Sequence, residues 1–174
     1  MKQFYFAKRK LQLMPAATIL IALATSIQIC AQTITSFDAP GAGTGPGEGT
    51  VATSINPSGT ITGFTRDANN GRHGFVRSHD GSFTIFDAPG AGTGPGQGTR
   101  AYTINPSGAI TGFFNDAANV FHGYVRSKQG AITVFDAPGA GTGPGQGTFP
   151  FSPLIMNPNG AITGWYVDSA FVSH

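Results

Sequence analysis

The string FDAPGAGTGPG begins at Phe37, again at Phe86 and again at Phe135, an interval of 49 residues each time. Each copy is followed by an INPSG or MNPNG turn (Asn56-Pro57-Ser58-Gly59, Asn105-Pro106-Ser107-Gly108, Asn157-Pro158-Asn159-Gly160) and then by Thr-Gly-aromatic. A period of this size marks one supersecondary module per repeat. Such a module cannot bury its apolar surface alone and must stack on its neighbours. The chain is therefore constrained to an array of like units, about 37–85, 86–134 and 135–174, the last cut short.

Residues 100–148 show what one unit contains. Ala101 to Ile104 is a short apolar-rich run, ended by Asn105-Pro106-Ser107-Gly108, in which proline presets φ and glycine accepts φ > 0. Ala109 to Phe114, His122 to Arg126 and Ala131 to Phe135 follow as further strands, separated by 115–120 and by Lys128-Gln129-Gly130. Short strands at even spacing with Gly/Pro/Asn turns predict an antiparallel meander, and no window sustains a helical period. Apolar residues fall on both strand faces: Ile132 and Val134 against Phe135, Ile61 against Phe64. Sheets covered on both faces predict four-stranded, propeller-like blades, with a β-sandwich of meanders as the alternative. Thr33 to Phe37 matches a fourth strand, and His174 matches the first residue of a third. Three units are fewer than a ring of four to eight blades, so the array is expected to be incomplete: a fragment of a longer protein, or a homo-oligomer that completes a ring.

The first 31 residues read as a secretory signal. Lys2, Lys8, Arg9 and Lys10 precede the uncharged, mostly apolar Pro15 to Ile29, a core short for a membrane span. Ala31 before Gln32 suits cleavage. The rivals are acylation at Cys30, which wants a small residue where Ile29 stands, and an uncleaved anchor. Residues 32–174 then carry six cations (Arg66, Arg72, Arg77, Arg100, Arg126, Lys128) against eight acids, a net charge of −2, and no cysteine. That excludes a basic nucleic-acid stripe, a disulfide framework and a thiol nucleophile.

The alternating glycines of 41–49, 90–98 and 139–147 read as a connecting loop. Gly47 to Ala52 and Gly96 to Ala101 fit G-x-G-x-x-A but precede strands, where a dinucleotide site needs a helix N-terminus. Asp67, Asp116 and Asp168 close second strands, and His73, His122 and His174 open third ones. Each pair could share a proton or bind metal. A catalytic group is needed once and a fold-forming group in every unit, so these six are assigned as repeat-structural residues. Asp38, Asp87 and Asp136 recur likewise. Asp67-Ala68-Asn69-Asn70-Gly71 only partly matches a calcium loop: its glycine is one place early and no Glu follows at the twelfth position. No G-x-S-x-G elbow occurs. The copies differ at Arg66/Asn115, at Arg72/Phe121 and at Val51/Arg100/Phe149, and Arg66, Arg72, Arg100 and Phe121 are singled out as ligand-loop candidates, because loops on a rigid scaffold carry binding.

The order INPSG-x-ITG-aromatic, Asp, His73-Gly74-Phe75 or His122-Gly123-Tyr124 with VRS, then FDAPGA, resembles the HAF-type extracellular repeat proteins of bacteria, over about residues 33–174. Glycine here stands for the central alanine of that family's name. The resemblance implies export, a propeller-like β architecture and no established catalytic residues. The functional expectation is a secreted, non-enzymatic β-repeat protein with a binding or surface-structural role. It needs no cofactor and no metal, and its partner is an extracellular glycan or protein. The alternatives are a truncated copy without independent function, or a lyase or hydrolase using His73 or His122 as base.

Overall fold

The computed structural model describes residues 34–149 and 156–174. The expected leader, its cleavage site and most of the insertion after Phe149 lie outside the described residues. The repeats form one compact unit, Phe37–His174. It is all-β: β1 (Gly49–Ile55), β2 (Ile61–Arg66), β3 (Arg72–Arg77) and β4 (Phe83–Phe86) form the first blade-like meander. β5 (Gly98–Ile104), β6 (Ile110–Asn115), β7 (Phe121–Arg126) and β8 (Ile132–Phe135) repeat it, and β9 (Gly147–Phe149) and β10 (Trp165–Val167) begin a third. Within a unit all pairing is antiparallel. Units are joined by single parallel steps, Arg72 with Gly98 and Phe121 with Gly147, giving a mixed, open ten-stranded sheet. The observed strands match the expected ones to within a few residues, and the array is incomplete.

The turns form for the reasons their residues suggest. Asn56 Oδ1 accepts from the amides of Ser58 and Thr60, and Asn105 Oδ1 accepts from the amide of Ala109 and the hydroxyl of Ser107. Gly59 and Gly108 take φ of +76° and +88°. Each first strand carries a bulge, at Thr53 in β1 and Tyr102 in β5, and a bulge re-aims the side chain it carries. The glycine segments are loops, fixed by repeated hydrogen bonds from Gly43 N to Arg66 O and from Gly92 N to Asn115 O. Ala39, Ala88 and Ala137 amides donate to Thr50, Thr99 and Thr148 hydroxyls at 2.8–2.9 Å.

Phe86 ties two units together. Its ring covers Gly74 of the first meander, where an added Cβ would lie 2.6 Å from the ring, and it meets Tyr124 of the second meander edge-on at 6.1 Å. Phe135 covers Gly123 in the same way. This explains glycine at the centre of the His-Gly-aromatic motif. Tyr124, fully buried, packs with Ala88 and Phe114, and Phe75 fills the same place in the first unit, against Phe37 and Phe83.

Two expectations change. Residues 34–37 are not a strand, although Phe37 does occupy the place of Phe86. A fourth strand pairs with the third strand of its own unit, and no third strand precedes Phe37 among the described residues. The fourth strands, each paired only with the third strand of its unit, are less covered than expected, with Ile85 and Val134 exposed.

Candidate functional site

The end of the sheet where β2 meets β3 and β6 meets β7 gathers all the candidate residues. Asp67 Oδ1 accepts from the amides of Asn69 and Gly71, Asp116 from Ala118 and Val120, and Asp168 from Ala170 and Val172. Each aspartate thus shapes its own hairpin. Its second oxygen faces the histidine opening the next strand: His73 Nε2 at 3.6 Å, His122 Nε2 at 3.7 Å, His174 Nε2 at 3.1 Å. From the other side of the ring, His73 Nδ1 meets Asp87 and His122 Nδ1 meets Asp136, both at 3.0 Å. The carboxylates flank the imidazole rather than converging, and no metal-holding group of three acidic, histidine or cysteine side chains occurs among the described residues. Nδ1 of His73 and of His122 is hydrogen-bonded to a carboxylate and Nε2 lies 3.6–3.7 Å from another, which orients each ring.

Burial lowers the affinity of His73 for a proton, but the hydrogen bonds and charges of Asp87 and Asp67 outweigh it and hold its pKa above the usual value. A raised folded-state pKa stabilises the fold below the unfolded value of about 6.5, and that stabilisation is lost as pH rises through the folded value. Asp87→Asn is therefore expected to be more destabilising at about pH 5.5 than at about pH 8, and to lower the His73 pKa read by NMR titration. Equal destabilisation at both pH values would refute the pairing.

Beside these relays lies an arginine–aromatic strip. Arg72 feels the charge of Arg66, and Arg100 feels the charges of both. Arg100, buried in β5, is lowered to about 10, first by desolvation and then by the charges of Arg72 and Arg66, with Tyr102 opposing. Its guanidinium donates to Asn115 Oδ1 at 2.9 Å and to Gly96 O at 2.7 Å. Arg66 Nη1 donates to Gly47 O. Arg72 Nη1 is buried with no hydrogen-bond partner among the described residues. The ion pairs found among those residues join histidines to aspartates, so the three guanidinium groups have no carboxylate in salt-bridge contact.

The rings continue from the cations. Arg66 lies over Phe64 and Arg100 over Phe113. Tyr102 stacks on Phe113 at 5.4 Å, Phe113 meets Phe121 at 5.6 Å, Phe121 meets Phe149 at 4.2 Å, and Phe149 stacks on Trp165 at 4.4 Å with 7° between planes. The candidates Arg66, Arg72, Arg100 and Phe121 thus lie on one strip, but they are strand residues, not loop residues. The varying Val51, Arg100 and Phe149, in β1, β5 and β9, stand opposite Phe64, Phe113 and Trp165. Tyr102, Phe113 and Trp165 escaped the sequence reading. For Phe113 and Trp165 the signal was present, since they face the varying Arg100 and Phe149; Tyr102 lies in the bulge and faces neither.

At the opposite end, a cavity of about 240 Å³ lies between the turns of the first two units, lined by Asn56, Ser78, Ile104, Arg126 and Lys128 among others. No protein-family model, no curated protein and no solved structure matches this chain.

Proposed function

We propose that this is an exported, non-enzymatic β-repeat protein whose arginine–aromatic strip binds an acidic glycan. The observation that carries this reading is the set of three arginines without a carboxylate partner, one of them buried and unsatisfied at Nη1, running directly into stacked rings. Guanidinium groups recognise carboxylate or sulfate through paired hydrogen bonds, and flat aromatic faces supply rigid apolar area for a sugar ring. The resemblance to HAF-type extracellular repeat proteins supports export. The recurrence of Asp–His contacts in successive repeats supports a structural role for them and no catalysis.

The test is titration of the purified protein with uronate-containing and sulfated oligosaccharides. Arg72→Gln is expected to weaken binding about tenfold, a loss of about 1.4 kcal/mol, with the thermal transition little changed. Phe121→Ala is expected to weaken it for neutral and charged sugars alike. Absence of binding to any acidic glycan, or full affinity in Arg72→Gln, would end this reading.

A further inference from the structure

The cavity between the turns of the first two units carries cations and hydroxyls but no acid. The first unit contributes Ser58, Thr60 and Ser78, and the second contributes Ser107, Arg126 and Lys128. None of the described residues lining it is an aspartate or glutamate. The cavity shares no residue with the arginine–aromatic strip at the other end of the sheet.

Arg126 is only 9 % exposed. Its guanidinium lies over the Phe86 ring at 4.9 Å, which holds it at the joint between the units. A guanidinium has five N–H donors. Among the described residues, those of Arg126 make one hydrogen bond, from Nη1 to Ser127 O at 3.3 Å, and Nε is buried without a partner. A buried donor left unpaired is costly, so a ligand acceptor here is favoured. Lys128 lays its stem over Gly108, where an added Cβ would lie 3.3 Å from its Cγ. Its ammonium is in salt-bridge contact with no carboxylate among the described residues, where the ion pairs join histidines to aspartates. The hydroxyls of Ser58 and Ser107 donate to Asn56 and Asn105 Oδ1 at 2.8 and 2.7 Å, which leaves both oxygens able to accept.

Part of this arrangement belongs to the fold. Arg77 recurs at the place of Arg126 and lies over Phe37 at 4.8 Å as Arg126 lies over Phe86. Lys128 does not recur, because His79 stands at the same place in the first repeat. The second cation is therefore a feature of this one joint.

We propose that this cavity binds a small phosphate monoester with a hydroxylated body, a sugar phosphate in class, whose phosphate is held by Arg126 and Lys128. Two cations without an acid suit a doubly charged group better than a single carboxylate. A guanidinium pairs with phosphate oxygens through parallel hydrogen bonds, and lysine serves phosphate as a point charge. The serine and threonine hydroxyls meet the hydroxyls of the body, and Val76 and Ile104 give it an apolar side. The volume of about 240 Å³ equals the share of roughly eight molecules in liquid water, so inorganic phosphate alone would leave most of it unfilled.

The experiment is calorimetric titration of the full chain with glucose 6-phosphate, and with glucose, inorganic phosphate and glucuronate in parallel. Saturable binding of glucose 6-phosphate is expected, with each of the other three weaker by about tenfold or more. Lys128→Ala is expected to weaken binding about tenfold, and Arg126→Gln to abolish it. Lys128 is exposed, so its variant keeps the test valid should Arg126→Gln disturb the joint. No saturation by millimolar glucose 6-phosphate, equal affinity for glucose, inorganic phosphate or glucuronate, or full affinity in Lys128→Ala would overturn the proposal. Arg72→Gln is expected to leave this binding unchanged, which separates it from glycan binding at the strip.

Discussion

Gly112→Ala is expected to destabilise the second repeat by about 3 kcal/mol or more. A Cβ on Gly112 would run into the carbonyl oxygen of Arg100 and lie 3.0 Å from Ala101 Cα. Both obstacles are backbone of the paired strand, so neither can rotate away, and the β5–β6 ladder must part just beside its bulge. The informative control is Gly47→Ala. Gly47 has φ of +83° but nothing within 4 Å of an added Cβ, so only the left-handed backbone is penalised, at about 1–2 kcal/mol. Urea denaturation of the two variants separates close approach from backbone strain. Equal midpoints would show that the strands do not approach as described.

Tyr124→Ala should have the other large effect, about 3–5 kcal/mol. The ring is wholly buried and is shared by the FDAPGA segment of one repeat and the sheet of the next, so its loss opens a cavity at the joint between units. A loss of this size is a large part of the 5–15 kcal/mol typical of a domain. Tyr124→Phe should go the other way. The hydroxyl is buried with no hydrogen-bond partner among the described residues, and Phe75 already fills the corresponding site without one. Removing it is expected to stabilise by about 1 kcal/mol, seen as a higher thermal midpoint. A destabilised Tyr124→Phe would show that the hydroxyl is satisfied.

Much of the architecture was legible because the repeat supplies its own internal alignment. Asn105-Pro106-Ser107-Gly108 and Lys128-Gln129-Gly130 mark their turns by local chemistry, and the strands between them need only length and β-branched content. The parallel steps at Gly98 and Gly147 were not legible. They depend on φ values of +106° and +117° and on a close backbone approach, which an alternating glycine run does not distinguish from a plain loop. The site was half legible. Differences between copies pointed to Arg66, Arg72, Arg100 and Phe121, but their convergence depends on pairing across strands. Tyr102 joins the strip through a bulge, a register shift with no signature in its own residue type. The Asp–His contacts were visible as spacing, whereas the second carboxylate, Asp87 or Asp136, lies fourteen residues from its histidine and arrives only when the fourth strand folds back.

The double duty of Phe86, capping Gly74 behind it and touching Tyr124 ahead, bears on how such a gene can change length. The aromatic part of each joint is made at the same offset, by Phe37 with Phe75 and by Phe86 with Tyr124, while the parallel steps begin at Arg72 in one joint and at Phe121 in the next. Gain or loss of a whole 49-residue segment, wherever the break falls, therefore keeps the aromatic contact at the new junction. A change in repeat number by whole units thus disturbs the joints less than an insertion of any other length.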